Sequence, residues 1–252
     1  MTTPLSSHYH LAVVIRVFNE NQDIVQENLR ALNESLSGLK AVDKSIILVD
    51  DGSLPPFEMK KCNEIVRHTS LWQIRHNINL GAGAALETGF EFIRRHLPEV
   101  DWVATFDPDG QHRADDVKTL LDHASQKVAN PRETAFSLFG SRFLGEVENI
   151  DPGRLWILRL ARFFTNAFYG FNLTDVHNGL RVFSRKAIDH IRLRSADFTY
   201  ASEMLHLIKL HGITVEEHPV RICYTDYSKS KGQKNLNALS ILKNMILGRI
   251  IP

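Results

Sequence analysis

The sequence predicts an α/β protein with a mostly parallel sheet flanked by helices. Short β-branched apolar runs alternate with longer helical stretches through the first half, loops stay short until Arg142, and 43% of the 252 residues are hydrophobic. That alternation is the pattern of a parallel sheet, and the composition supplies one sizeable core.

The elements follow in order. Leu11–Phe18 reads as a strand, Asp23–Leu39 as a helix and Ser45–Val49 as the next strand. Leu71–Arg75 is a strand, a helix runs from about Gly83 to His96, Trp102–Phe106 is a strand, Asp115–Val128 a helix and Phe136–Phe139 a strand. From Arg142 a polar loop with Gly and Pro leads to Gly153, and Arg154–Tyr169 is helical. A sheet-covering element is expected at Leu180–Phe183. The helix Tyr200–His211 ends at Gly212 as a C-terminal cap would, and Thr214–Ile222 is the last strand. No repeat, low-complexity segment or linker marks a second domain.

Several function classes are disfavoured at once. Thirty Lys and Arg balance 29 Asp and Glu, so bulk charge gives no reason to expect a nucleic-acid binder. Cys62 and Cys223 stand far apart, which fits neither a disulfide framework nor a zinc site and suits a reducing cytosol. Met1–His10 lacks the regions of a secretory signal, and no apolar stretch approaches the ~20 residues of a membrane span. Twelve histidines are scattered without a His-Glu-x-x-His, and no Gly-x-Ser-x-Gly elbow offers a covalent nucleophile.

In a doubly wound sheet, ligands bind beyond the carboxyl ends of the strands. Three of those ends are acidic: Asn19-Glu20, Asp50-Asp51-Gly52-Ser53, and Asp107-Pro108-Asp109-Gly110-Gln111-His112. Converging carboxylates repel unless a cation or hydrogen-bond donors neutralise them. Asp107, Asp109 and Gln111 offer hard oxygen donors on one turn, which suits Mg²⁺ or Mn²⁺ with positions left open for phosphate oxygens. Taken alone, Asp-Pro-Asp-Gly is equally a good turn; the other two acidic ends favour the metal. The stretch Asn79–Ala85, Asn-Leu-Gly-Ala-Gly-Ala-Ala, opens a helix after a strand. Its small residues let backbone approach a phosphate or let the helix pack closely on the sheet, and the sequence leaves both open.

These residues resemble the inverting family 2 glycosyltransferases of GT-A fold, and within them the branch that glycosylates polyprenyl phosphates, like dolichol-phosphate mannose synthase. The resemblance rests on Ala12-Val13-Val14-Ile15 with Asn19-Glu20, Val49-Asp50-Asp51-Gly52-Ser53, the Asn79–Ala85 stretch with Thr88-Gly89-Phe90, and Asp107–His112. It continues through Gly140-Ser141-Arg142, Asp175, Asn178–Phe183 and Glu217-His218-Pro219-Val220, in family order over roughly Leu11 to Tyr227. It implies that Asn19, Glu20, Asp50, Asp51 and Gly81 hold the donor nucleotide. Asp107, Asp109 and Gln111 would hold Mg²⁺ or Mn²⁺ against the donor diphosphate. Arg142, with Arg154 and Arg181, would hold an acceptor phosphate, and Lys231, in a segment similar to the family's mobile loop, would close over the diphosphate.

A lipid phosphate is already an anion and attacks without a general base, whereas a sugar hydroxyl needs a carboxylate such as Asp175 or Glu203. The chain departs from the family at Arg16, usually proline, at Phe18, usually tyrosine, and at Ala82, often lysine. These departures are expected to weaken contacts to the base and diphosphate and to leave the metal motif untouched.

Two segments bear on a membrane. Arg154–Tyr169 is rich in Leu, Ile, Phe and Trp, with Arg154, Arg159 and Arg162 at about 0°, 140° and 80° around the helix. It reads either as a headgroup-layer helix or as a core helix with a cationic outer face. From Asp226 to Pro252, five cations including Lys231 face one Asp, with apolar residues at helical spacing. This is a basic amphipathic tail suited to a membrane surface or an integral-membrane partner.

The expected protein is therefore a GT-A catalytic domain over residues 1–225 with a tail over 226–252. It would transfer sugar from a nucleotide-diphosphate donor, with UDP favoured and GDP or dTDP possible, to a polyprenyl phosphate at the cytoplasmic face of the membrane, for cell-surface glycan synthesis. The rivals are transfer to a saccharide hydroxyl and a non-catalytic nucleotide-sugar-binding subunit that recruits a membrane partner.

Overall fold

The computed structural model describes residues 8–39, 42–59, 62, 66 and 69–231. In chain order it contains β1 (Tyr9–Val17), α1 (Gln22–Ser37), β2 (Val42–Asp50), β3 (Ser70–Arg75), α2 (Ala82–His96), β4 (Trp102–Phe106) and α3 (Ala114–Lys127). It continues with β5 (Phe136–Glu148), α4 (Pro152–Tyr169), β6 (Arg181–Ser184), α5 (Arg185–His190), α6 (Tyr200–Leu210), β7 (Thr214–Cys223) and α7 (Asp226–Lys231).

The strands form one seven-stranded sheet in the order β3-β2-β1-β4-β6-β5-β7. β6 runs antiparallel to both neighbours; the other pairs are parallel. The central strands are buried on both faces, with Leu11, Val13 and Ile15 of β1 directed to one apolar cluster and Ala12 and Val14 to the other. α1 and α3 cover the first face through Leu29, Leu32, Val117 and Leu120. α2, α5 and α6 cover the second through Phe90, Ile93, Ile188, Met204 and Ile208. Asn21 starts α1 by accepting from the amides of Asp23 and Ile24, which satisfies two of the unpaired donors of its first turn.

Two expectations are corrected, and one element is new. β5 does not end at Phe139 before a loop; it runs to Glu148, with an irregularity between Ser141 and Glu146 where it pairs with β7. Gly145 allows this, because a Cβ there would lie 2.2 Å from the Val220 carbonyl oxygen. Pairing with a strand so distant in the chain, Phe136 opposite Thr214, cannot be read from local pattern. The Leu180–Phe183 element does not cover the sheet: as β6 it is inserted between β4 and β5. The short α5 was not anticipated; Ser184 caps it by accepting from the Ala187 amide.

α4 begins at an Asp151 cap with Pro152 in its first turn and ends at Gly170, whose φ of 72° is the left-handed cap glycine tolerates best. Thr165 is its one buried residue, while Trp156, Leu160, Phe163 and Phe164 are exposed. The core-helix reading is thereby overturned: the apolar face points outward. Among the described residues no helix is long and apolar enough to cross a membrane. The tail beyond Lys231, including Lys234, Lys243 and Arg249, lies outside the described residues.

Candidate active site

A cavity of about 810 Å³ opens at the carboxyl ends of β1, β2 and β4, bounded by α4 and by residues 197–201. Asn19, Glu20, Asp51, Gly81, Asp107, Asp109, Gln111, Arg142 and Arg154 all line it. Asp50, Asp175, Arg181 and Glu203 do not.

At one end, Asn19 adopts φ 50°, a left-handed conformation that asparagine accepts more readily than most residues. Its amide donates to Ser53 Oγ at 2.9 Å and its side chain accepts from the Leu54 amide at 2.8 Å, tying the end of β1 to the loop after β2. Tyr227 reaches back from α7: its hydroxyl donates to Glu20 and accepts from the Asn21 amide.

The acidic pair after β2 is structural in its contacts. Asp50 is fully buried, accepts from the amides of Ser53 and Phe57 and lies 3.4 Å from Arg75 Nε. Asp51 accepts from the amides of Leu80 and Gly81 at 2.8 Å and pairs with His76 Nδ1. The amides of Gly83 and Ala84 donate to the Ala196 carbonyl. A Cβ on Gly83 would meet the Ser195 carbonyl oxygen at 2.0 Å, and one on Gly81, at φ 102°, the Ala196 oxygen at 2.4 Å. The amides of Leu80, Gly81, Gly83 and Ala84 are thus engaged within the protein, and the two glycines admit the 195–197 loop and not the sheet.

The acidic turn after β4 holds the strongest charge arrangement. Asp107 Oδ1 accepts from Arg16 at 2.6 Å, and Arg16 also donates to the Ala82 carbonyl at 3.3 Å and lies over the Tyr200 ring at 5.2 Å. The departure at residue 16 therefore touches the metal motif directly, contrary to expectation. Asp107 Oδ2 faces His112 Nε2 at 3.9 Å and Gly179, where a Cβ would stand 2.0 Å away. Burial works against the Asp107 anion, but Arg16 and His112 outweigh it and hold its pKa below the usual carboxylate value. Asp109 is pushed the other way, by burial and by the Asp107 charge. It accepts from the Gln111 amide at 3.0 Å and from that residue's side chain.

Among the described residues no three His, Cys, Asp or Glu side chains stand arranged to hold a metal ion unaided. The donor set nevertheless fits a hard divalent cation whose remaining positions a diphosphate completes: two neighbouring carboxylates, the Gln111 amide and His112, whose buried Nδ1 has no partner. Arg16 occupies Asp107 Oδ1, one of the oxygens such an ion would use.

At the other end, Arg142 and Arg154 share Tyr224. Arg142 Nη1 donates to the Tyr224 hydroxyl at 2.5 Å, and the Arg154 guanidinium lies 5.1 Å from the ring centroid. Asp175 fixes Arg142 by accepting from its Nε at 2.6 Å and its amide at 3.1 Å. Glu217 in turn accepts from the amides of Thr174 and Asp175. Arg181 is not brought to this end: it is buried against the Phe139 ring and donates to the carbonyls of Asn178 and Val176. Glu203 accepts from the amides of Arg194 and Ser195, holding the loop that packs on Gly83. Lys231 lies in α7, but its side chain is outside the described residues.

Arg16, Tyr200 and Tyr224 escaped the sequence reading as site residues. A cation inside the apolar run Ala12–Val17 was the available signal for Arg16, and Tyr224 follows a strand end like the acidic groups.

The glycosyl transferase family 2 model matches residues 12–192. The uncharacterized protein MJ1222 of Methanocaldococcus jannaschii is 33% identical over 94% of this chain and 91% of its own length. A UDP-N-acetylglucosamine–dolichyl-phosphate N-acetylglucosaminyltransferase of Methanococcus voltae is 29% identical over 69% of this chain and 68% of its own. The glucosyl-3-phosphoglycerate synthase of Mycobacterium tuberculosis, solved with Mn²⁺, UDP-glucose and phosphoglyceric acid, superposes with a TM-score of 0.59 at 17% identity, covering 94% of this chain and 79% of that one. With the match spanning every strand of the sheet but β7 and the ends of β1, β2 and β4 that face the cavity, the chain belongs to glycosyl transferase family 2 and has the GT-A fold its motifs led us to expect.

Proposed function

We propose that the protein transfers a sugar, with inversion, from a nucleotide-diphosphate donor to a polyprenyl phosphate. The observation that carries this reading is the cavity end built by Arg142 and Arg154 around Tyr224, with Asp175 committed to Arg142. Planar guanidinium groups suit a phosphate, and an acceptor phosphate needs no general base. Asp175 and Glu203, the carboxylates a hydroxyl acceptor would call on, are engaged elsewhere. The Methanococcus voltae relative, by its name, acts on dolichyl phosphate.

Asn19 and Glu20 receive the nucleoside, UDP being the favoured donor. Asp107, Asp109 and Gln111 would hold Mg²⁺ or Mn²⁺, which supplies neutralisation of the charge that builds on the departing diphosphate. Arg142 and Arg154 bind the acceptor phosphate and orient one oxygen toward the anomeric carbon, while α4 and residues 197–201 wall the reacting groups from water. Entry of the acceptor opposite the leaving group gives inversion.

The exposed Trp156, Leu160, Phe163 and Phe164 lie on the same helix whose other side, Arg154, Ile157 and Leu158, lines the cavity. α4 thus rests in the headgroup layer at the cytoplasmic face of the membrane and delivers the lipid phosphate to the arginines. In this reading residues 1–225 are the catalytic domain, and the basic tail over 226–252 adds attraction to anionic lipid or to an integral-membrane partner. Incubation of the protein with Mn²⁺, a panel of UDP-, GDP- and dTDP-sugars and a short polyprenyl phosphate should yield a glycosyl-phosphate lipid; turnover on saccharide hydroxyls alone would refute the acceptor.

A further inference from the structure

We propose that Arg16 is a charge-exchange residue: it neutralises Asp107 while the donor site is empty and passes to the donor diphosphate when a divalent cation takes Asp107. The inference rests on the donor and metal reading above and adds a residue to it.

The guanidinium has the position this requires. One nitrogen reaches Asp107 Oδ1 at 2.6 Å and another the Ala82 carbonyl at 3.3 Å, so it spans from the acidic turn to the start of α2 along the cavity wall. Its side chain is 15% exposed, and the partner carboxylate is 30% exposed, so the pair stands at the cavity surface and not in the core. Tyr200 holds it as well, through its ring 5.2 Å away and a side-chain hydrogen bond, an anchor that does not depend on Asp107.

A diphosphate entering beside Asp107 brings anionic oxygens into a place where four of the nearby amides are already engaged: those of Leu80 and Gly81 on Asp51, and those of Gly83 and Ala84 on Ala196. Among the described residues, Arg16 is the cation that already bonds Asp107, where the diphosphate arrives. The converse follows from electrostatics. A cation arriving alone competes with the guanidinium for Asp107 and stands beside a like charge, whereas a cation arriving with a diphosphate gives that guanidinium an anion to bind. Metal and nucleotide therefore promote one another's binding, and by linkage the effect is the same in both directions.

Mn²⁺ binding followed by paramagnetic resonance, and binding of UDP, GDP and dTDP followed by calorimetry at saturating Mn²⁺, test this on the full chain. Arg16→Leu is expected to bind Mn²⁺ alone about tenfold more tightly than wild type, and nucleotide at saturating Mn²⁺ about tenfold more weakly, roughly 1.4 kcal/mol each way. Arg16→Lys, which keeps the charge but cannot span Asp107 and Ala82, should fall between on both counts and carries the test if the leucine variant does not fold. Unchanged Mn²⁺ affinity in either folded variant, with nucleotide still bound by wild type, overturns the exchange while leaving the donor site intact. Failure of wild type to bind any of the three nucleotides overturns both the exchange and the donor reading.

Discussion

The Arg142 guanidinium donates to the Asp175 carboxylate at 2.6 Å, with side chains only 7% and 2% exposed, so the cation that faces the cavity is held from behind by a buried anion. Asp175 then acts through Arg142. Removing it in Asp175→Ala would leave a buried guanidinium without its counter-ion, a loss of about 3–5 kcal/mol of stability. Asp175→Asn keeps an acceptor and should fold. Its expected effect is a rise of roughly tenfold in KM for the lipid phosphate with the donor KM unchanged, on the ~1.4 kcal/mol scale of a weakened charged hydrogen bond. A general base at this position would instead lower kcat and alter the pH profile.

Asp109→Asn should fold, because the asparagine oxygen keeps the bond from the Gln111 amide, and its NH2 can donate to the Gln111 side-chain oxygen once that amide turns over. It removes a charge from beside Asp107 and from the proposed cation. Turnover is expected to fall by about 10²–10³-fold, as for other losses of charge stabilisation at a leaving group. Single-turnover rates at saturating Mn²⁺ check this.

Replacing both Trp156 and Phe163, 72% and 65% exposed, by serine removes two large apolar groups that cover no core. Thermal stability should stay within about 0.5 kcal/mol. Sedimentation with vesicles containing anionic lipid should drop at least tenfold, given about 1.5–3 kcal/mol for each large side chain taken from water. Turnover on a short, water-soluble polyprenyl phosphate should be retained.

His177 lies on the cavity wall, and burial holds its pKa down to about 4, below the ordinary 6.5. The unfolded chain takes up this proton before the folded one as pH falls. The stability is therefore complete above pH 6.5 and is lost between 6.5 and 4, by about 3 kcal/mol. His10 and His112, also lowered by burial, act in the same sense. His177→Asn should flatten the dependence of urea midpoint on pH within that window.

The sequence made the parallel half of the fold legible because each strand from β1 to β4 is a local apolar run with its own flanking turn. β5 and β6 were harder, since their boundaries are set by partners distant in the chain, β7 for one and the gap between β4 and β5 for the other. In the site, the strand-end rule found Asn19, Glu20, Asp107, Asp109 and Gln111, all on the cavity wall. It also named Asp50, which is turned inward to hold its own loop. A strand-end carboxylate serves a ligand or the turn beneath it, and which of these applies depends on amides that come from elsewhere. Arg181 shows the same limit, since its cation faces Phe139 and two carbonyls and not the cavity. Arg16 shows the reverse, a departure from the family pattern that proved to sit on the acidic turn.

The central claim is that the acceptor is a phosphate held by Arg142 and Arg154, and competition between acceptors tests it most directly. With one productive nucleotide sugar and Mn²⁺, the purified protein is offered equal concentrations of a short polyprenyl phosphate and of the same prenol lacking phosphate, beside a panel of saccharides. The account predicts glycosyl-phosphate lipid as the sole product, and at least a hundredfold loss of it in Arg142→Ala while donor binding persists. Sugar found on the prenol or a saccharide hydroxyl in preference to the phosphate, or full activity in Arg142→Ala, would contradict it.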